Sequence, residues 1–171
     1  MEPDLMRPTM KRLAGWSVAT IRVFKNGEPA VAAAASGALG IAWPQSHGPW
    51  SGGDPWMIWR SPAERIAVAT SPNKLQTLLA DLRPGCSEAG CAVDLGEAIA
   101  VWHLDGGALA GVMTRLADAS ALPAPGSATR LRWADVSVIL MRLSQSEALL
   151  LADATLEPYL DDWWAYACNA L

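Results

Sequence analysis

The chain has 171 residues, a formal net charge of −4 at pH 7 and 51% hydrophobic residues. This length is sufficient for one domain, or for two small fused halves, with a real hydrophobic core. The 13 basic residues are scattered and form no basic stripe, which argues against nucleic acid or an anionic membrane as a partner. No apolar run reaches the roughly 18 residues of a membrane helix, and no signal-peptide core is recognisable, so we expect a cytoplasmic protein.

Cysteine and tryptophan usage adds two expectations. Cys86, Cys91 and Cys168 are too few, and odd in number, for a disulfide framework, which agrees with a reducing compartment. Their spacing also lacks the two close pairs typical of structural zinc, so no metal is expected. Nine tryptophans stand against one phenylalanine. Tryptophan buries a large area and is enriched at interfaces, so we expect most of the nine in the core and the rest at a partner interface.

The first third of the chain shows alternating strand and helix signals. Residues 1–14 are polar and predict an N-terminal arm, and 16–24 alternate with period two, as a strand does. Residues 29–40 open with proline and close with glycine, which predicts a short helix. A strand is expected at 41–43. Three prolines and three glycines in 44–55 predict a long, mobile, irregular loop.

The next segment predicts a β-hairpin followed by a helix. Extended runs at 56–60 and 65–70 flank a turn at Ser61–Glu64. Ser71-Pro72 then opens a helix, which Pro84-Gly85 is expected to end. Its apolar face carries Leu75, Leu78, Leu79 and Leu82.

The second half begins with a nearly continuous apolar strand at 98–104, which predicts a central position covered on both faces. Asp105 is expected to cap the next helix, whose apolar stripe is Leu109, Val112, Met113 and Leu116. Strands are predicted at 129–133, 136–143 and 148–153. The final helix has an apolar side formed by Leu156, Tyr159, Leu160, Trp163, Trp164 and Ala167.

Residues 57–82 and 138–163 repeat the same order of strand, four-residue turn, strand and amphipathic helix. Ser61 and Glu64 match Ser144 and Glu147 at an offset of 83, whereas the helix leucines match at an offset of 81. The repeat predicts an α+β fold from 15 to 171, made of two similar halves at about 15–90 and 91–171. Each half would contain an antiparallel sheet backed by helices.

Four segments in this order carry a family resemblance: WMIWRSPAERIAVAT, AVWHLDGGALAGVMTRL, PGSATRLRWADVSVILMRL and EALLLADATLEPYLDDWW. Through them, residues 40–168 resemble the gamma subunit family of heterotetrameric sarcosine oxidase, which is related to the folate-binding region of glycine-cleavage aminomethyltransferase. The sequence departs from the family at 114–123, where many relatives carry a Cys-x-x-Asp stretch.

The resemblance implies duplicated, interlocked α+β halves and a small non-catalytic subunit docked on a large flavoprotein subunit. It places flavin and NAD in the partner subunits and no cofactor on this chain. As an accessory subunit, the chain would take part in oxidation of an N-methyl amine such as sarcosine without carrying the chemistry. A stand-alone scaffold or ligand-binding protein with the same fold is a further alternative.

Catalytic candidates are sparse. His47 lies in the proline-rich loop and is expected at the surface, and His103 lies in an apolar strand and is expected to be a satisfied core or edge histidine. Similarity to aminomethyltransferases, which carry an acidic pair at the matching strand, makes Asp135 the runner-up catalytic residue of a small tetrahydrofolate-binding one-carbon transferase. A lone carboxylate between two strands is more often a turn former.

Tryptophans supply the candidate partner interface. Trp163 and Trp164 are adjacent, so about 100° of helix separates them and both cannot enter one core. Together with Trp50, Trp56 and Trp59 around the proline-rich loop, they are predicted anchors for another subunit. The same residues allow self-association of the isolated chain.

Overall fold

The computed structural model describes residues 7–169, apart from the side chains of residues 38 and 39. The strands are β1 (Thr9–Arg12), β2 (Ser17–Val23), β3 (Gly48–Pro49), β4 (Trp56–Ser61), β5 (Glu64–Ala69), β6 (Gly90–Asp94), β7 (Ile99–Asp105), β8 (Ser127–Trp133), β9 (Val136–Arg142) and β10 (Glu147–Asp153). The helices are α1 (Glu28–Leu39), α2 (Pro72–Cys86), α3 (Leu109–Leu116) and α4 (Glu157–Asn169). The predicted α+β class is confirmed. None of these helices is long and apolar enough to cross a membrane.

The chain forms two compact units, and the first is Ala14–Glu97. Its antiparallel strands follow the order β4-β5-β2-β6, and α1 and α2 belong to the same unit. Alternate strand residues pack with one face of α2 in a buried core that includes Ala19, Ile21, Met57, Ala67, Leu75, Leu78 and Leu82. The two helices approach closely at Gly85, where a Cβ atom would lie 2.5 Å from the Cβ of Ala34.

The second unit consists of residues 7–13 and 98–169 in the described chain. Its antiparallel strands follow the order β1-β7-β10-β9-β8. β7 therefore lies between two neighbours, and buried residues on both faces of it confirm the predicted central position. All four residues of the predicted α3 stripe are buried, with tryptophans and leucines from the sheet: Trp102, Leu104, Trp133, Leu140 and Leu150.

The two units contain the same arrangement, so the repeat is longer than the sequence pattern indicates. In the first unit β2 lies between β5 and β6, and in the second unit β7 lies between β10 and β1. β1 precedes the first sequence copy but completes the sheet of the second unit, and β6 occupies the matching place in the first unit. Each unit thus takes an edge strand from the segment that precedes the central strand of the other unit.

The structure differs from the predicted N-terminal arm and from the predicted boundary between halves. Residues 9–12 form β1 on β7 instead of an arm, because their backbone completes the sheet of the second unit. Residues 1–6 of the predicted arm lie outside the described residues. The boundary falls at Glu97, later than expected, because β6 pairs with β2.

Three local features also differ. Asp105 is not a helix cap, because β7 continues through it to pair with Glu147, and α3 begins without a side-chain cap. Pro84 lies inside the last turn of α2, which ends at Cys86. The predicted strand at 41–43 is not formed, although Ile41 and Trp43 are buried.

Candidate partner-binding surfaces

Adjacent tryptophans in α4 face different environments. Trp164 is 8% exposed and packs in the core of the second unit with Leu160, Ala167 and Cys168, whereas Trp163 is 37% exposed. The helical rotation between neighbours therefore puts one ring inside and one outside, as the sequence predicts. The prediction that Trp164 is a partner anchor is corrected, because core packing occupies this side chain.

The outer side of α4 carries three aromatic rings in a row. Tyr159, Trp163 and Tyr166 are spaced by four and three residues, which places them on one helix face. The ring centroids of Tyr159 and Trp163 are 6.3 Å apart, and those of Trp163 and Tyr166 are 5.7 Å apart with the planes nearly perpendicular. Tyr166 is 67% exposed. We call these three residues the α4 aromatic stripe.

Asp135 lies next to this stripe, at the turn between β8 and β9. Ala134 and Asp135 have φ values of 46° and 69°, so both central residues of the two-residue turn are left-handed, as a type I′ hairpin requires. Tyr159 donates its hydroxyl hydrogen to the carbonyl oxygen of Ala134, and Arg132 lies 3.3 Å from the Asp135 carboxylate. The Asp135 side chain is 87% exposed. Turn formation thus accounts for its position, and the stripe and the turn form one surface.

α4 is negatively charged, and of its carboxylates only Asp162 has the helix spacing that places it beside the stripe. Its carboxylates are Glu157, Asp161 and Asp162, and it carries no basic residue. Glu157 pairs with Arg12 at 2.5 Å, whereas the salt bridges among residues 7–169 involve neither aspartate. Burial, together with the charges of Glu157 and Asp162, raises the pKa of Asp161. Burial is the larger cause of this shift, and the two neighbouring negative charges add to it.

In the first unit, the remaining tryptophan candidates do not form one patch. Trp56 stacks on Trp16 with ring centroids 5.5 Å apart, and Trp59 lies edge-on to His47 at 5.9 Å. Trp56 and Trp59 are three residues apart on β4, so they lie on opposite faces of the strand. Trp50, Trp56 and Trp59 are all half-buried. Their value as partner anchors stays a prediction.

Arg65 forms a buried network that the sequence analysis did not identify. The side chain is 1% exposed and donates to the carbonyl oxygens of Pro44 at 2.7 Å and Ser61 at 2.8 Å. Its third partner is Glu28, at 2.9 Å, which also accepts from the indole of Trp43. The guanidinium thereby ties the start of the proline-rich loop to the β4–β5 turn.

A second clamp holds the other end of that loop. Asp54 accepts hydrogen bonds from the hydroxyl and backbone amide of Thr70 and from Lys74 at the start of α2. Burial opposes ionisation of Asp54, but the bonds from Lys74 and Thr70 outweigh it and lower the pKa of the carboxyl group. The loop is irregular except for the two-residue strand β3, which the sequence did not predict, and these two clamps fasten it at both ends.

The histidines lie where the sequence predicts them. His103 Nε2 is 2.8 Å from Oε1 of Glu147, so this strand histidine has a hydrogen-bond partner, and His47 is exposed. The pair has a counterpart in the first unit, where Thr20 donates to Glu64 at 2.5 Å.

Cys86, Cys91 and Cys168 are free, and residues 7–169 contain no group of three or more His, Cys, Asp or Glu side chains that could hold a metal ion.

Comparison with solved structures identifies the class of fold. No protein-family model matches the chain, and no curated protein matches it. The glycine cleavage system aminomethyltransferase T from Bartonella henselae has a TM-score of 0.65 over 92% of this chain, at 11% identity. This chain spans 45% of that protein, so the fold corresponds to one region of a larger enzyme.

A second structure matches over nearly the full length of both chains. It is a chain of the heterotetrameric sarcosine oxidase from Corynebacterium sp. U-96, solved in complex with pyrrole 2-carboxylate. The TM-score is 0.80 at 24% identity, covering 95% of this chain and 84% of that chain. These matches confirm the predicted folate-binding-like α+β fold and the similarity to a sarcosine oxidase chain.

Proposed function

We propose that the chain is a non-catalytic, gamma-type subunit of a heterotetrameric sarcosine (N-methyl amine) oxidase, and that it braces the large flavoprotein subunit. The observation that carries the proposal is the 0.80 TM-score with a chain of the heterotetrameric enzyme. Because the coverages are 95% and 84%, the matched chain is only slightly longer than this one and is thus a small subunit.

The side chains considered for catalysis support an accessory role. His103 is hydrogen-bonded to Glu147, and Asp135 lies in a hairpin turn beside Arg132. The α4 aromatic stripe, in contrast to these side chains, is suited to binding a partner, because exposed tryptophan and tyrosine are enriched at interfaces.

In this proposal flavin and NAD belong to the partner subunits, and the complex resides in the cytoplasm, where free cysteines persist.

Co-expression tests this proposal. The chain and the reading frames beside its gene are expressed together, with an affinity tag on the large flavoprotein subunit. The chain is expected to co-purify and to co-elute with flavin absorbance, while the chain expressed alone oxidises no sarcosine. A tagged flavoprotein of unrelated fold is the control. Failure of the untagged chain to co-purify with the large subunit would contradict the proposal.

A tetrahydrofolate-binding one-carbon transferase is the second candidate, favoured by the similarity to aminomethyltransferase T and by the exposed carboxylate of Asp135. Calorimetric titration of the isolated chain with tetrahydrofolate tests it. Binding that disappears in Asp135→Asn but persists in the control Asp105→Asn would replace the accessory proposal. Absence of binding in the wild-type chain removes this candidate.

A further inference from the structure

We propose that a second copy of this chain docks on the outer edge of β6. The two β6 strands would lie antiparallel about a two-fold axis beside Ala92 and would join the first-unit sheets of the two copies into one sheet. We call the outward-facing side of Gly90–Asp94 the β6 edge. The dimer involves the first unit alone and does not depend on the proposed accessory role.

The outer backbone groups of β6 are free to pair with another strand. Within the described residues, β6 is the last strand of its sheet and pairs with β2 alone. The amide of Leu95 donates to the carbonyl oxygen of Val18 at 2.9 Å, and every second pair along an antiparallel ladder is hydrogen-bonded in this way. The N–H and C=O groups that point away from β2 are therefore those of Gly90, Ala92 and Asp94.

The β6 edge is apolar and lacks the features that usually protect an edge strand. Its sequence, Gly-Cys-Ala-Val-Asp, has no proline or lysine, and its pairing with β2 has no bulge. Val93 is 48% exposed, and Phe24, which follows β2, is 50% exposed. The equivalent edge strand of the second unit, β1, carries Lys11 and Arg12, and Arg12 pairs with Glu157. Of these two equivalent edges, β6 is thus the one open to another strand.

An antiparallel second copy fits the β6 edge in a self-complementary register. With the axis beside Ala92, this residue faces its own counterpart, and Gly90 faces Asp94 of the second copy at each end. Ala92 packs toward the core, so Cys91 and Val93 lie on the opposite face of the sheet. There Val93 of each copy meets Cys91 of the other at a closely spaced pair. Small residues lie on the axis, and an exposed apolar side chain becomes covered.

Charge complementarity favours a second copy in this orientation. Gln76 of α2 donates to Asp94 at 2.7 Å, so this side of α2 lies along the C-terminal end of the β6 edge. Arg83 follows Gln76 by seven residues, or about two helix turns, so it lies on the same side of α2 near the other end of β6. It is exposed and forms no salt bridge within residues 7–169. In the antiparallel dimer, Arg83 of each copy approaches Asp94 of the other.

The remaining charges of the first unit near this edge have the same polarity. The charged residues near the Gly90 end are Arg22, Lys25, Arg83 and Glu88, and those at the other end are Asp94 and Glu97. Arg22 shares Glu64 with Arg60, so its charge is only partly compensated. One end of the edge is therefore net positive and the other is negative. Antiparallel pairing brings opposite ends together, whereas parallel pairing would bring like ends together.

Sedimentation equilibrium of the full chain over a range of concentrations tests the dimer. The wild-type chain is expected to dimerise reversibly and weakly, because one short strand covers less than the roughly 1,200 Å² of a stable interface. Ala92→Pro removes the amide beside the axis, which does not bond to β2, so it should abolish the dimer without changing the circular dichroism spectrum. Arg12→Pro removes an outward amide of β1 and is the matched control, which should dimerise as the wild type does.

Mixing two charge variants gives the decisive comparison. Arg83→Glu and Asp94→Lys each place like charges together at both ends of a homodimer, so each should weaken self-association about tenfold. An equimolar mixture should recover the dimer, because the two opposite reversals restore both charge pairs in the mixed dimer. Local damage to either variant would not be repaired by mixing.

A wild-type chain that stays monomeric, a dimer that survives Ala92→Pro, or a mixture that associates no better than its components would overturn the second-copy assignment. If the chain alone is monomeric and the Ala92 amide becomes protected from hydrogen exchange only with the large subunit, the edge belongs to that partner instead. Co-purification tests the accessory role separately, so failure of either proposal leaves the other standing.

Discussion

The guanidinium of Arg65 lies 4.7 Å over the ring of Trp43, and both side chains donate to the same oxygen, Oε1 of Glu28. This buried arrangement joins three separate parts of the first unit: the start of α1, the loop after it, and the β4–β5 turn. An arginine is required because one planar group must reach two backbone carbonyls and a carboxylate at once.

Replacement of Arg65 should therefore destabilise the chain strongly. Arg65→Met keeps much of the packing volume but leaves the carbonyls of Pro44 and Ser61 without this donor, and we expect a loss of about 3 kcal/mol. Arg60→Met is the matched control, because Arg60 makes one partly exposed salt bridge to Glu64 and should cost less than about 1 kcal/mol. Urea unfolding followed by circular dichroism measures both, and equal losses would refute the assigned role.

The Asp54 clamp should give a pH-dependent contribution to stability. Its folded-state pKa is lowered, so its stabilisation is complete above the unfolded pKa of about 3.9 and is lost as pH falls through the folded value. Asp54→Asn should cost about 1 kcal/mol at pH 7 and progressively less below about pH 4. Urea unfolding at several pH values tests this, with Asp81→Asn as the control. A cost for Asp54→Asn that does not change with pH would contradict the mechanism.

Local sequence patterns predict the hairpin and helix of each unit because both copies bury the same positions. Glu64 and Glu147 open the return strands, with alternating or continuous apolar residues after them. The buried helix faces align Leu78 with Leu160 and Leu82 with Trp164, so the second copy is one residue shorter before the helix, not two. Burial identifies this register, whereas the identity of the leucines alone predicts an offset of 81.

Pairing between distant segments could not be predicted in the same way. β1 has the sequence Thr-Met-Lys-Arg, which shows no alternation of apolar and polar residues. Only its pairing with β7 makes it a strand. Asp105 has the local pattern of a helix cap, but pairing with Glu147 extends the strand through it. Arg65 could have been found from alternation, since it shares a strand face with Ala67 and Ala69, which are buried in the core of the first unit.

The cysteines should differ in reactivity according to burial. Cys86 and Cys168 are buried, and burial, reinforced at Cys86 by nearby Cys91, raises the pKa of both thiols. Alkylation requires the thiolate and access to the reagent, so both should react slowly in the native chain, while the partly exposed Cys91 reacts first. Mass spectrometry after timed iodoacetamide treatment measures the order. In urea the three rates should converge, and native rates that are already equal would contradict the assigned burial.

Trp163 and Trp164 give a matched pair for separating core from surface in α4. Trp164→Ala removes a ring that is 8% exposed and leaves a cavity in the core of the second unit, so it should cost about 3–5 kcal/mol. Trp163→Ala removes an exposed ring whose contacts are with Tyr159 and Tyr166, so its cost should be about 1 kcal/mol. Urea unfolding compares the two single variants at equal protein concentration. If Trp163→Ala proved as costly as Trp164→Ala, the outer ring would contribute to the core, and it would no longer be available for a partner.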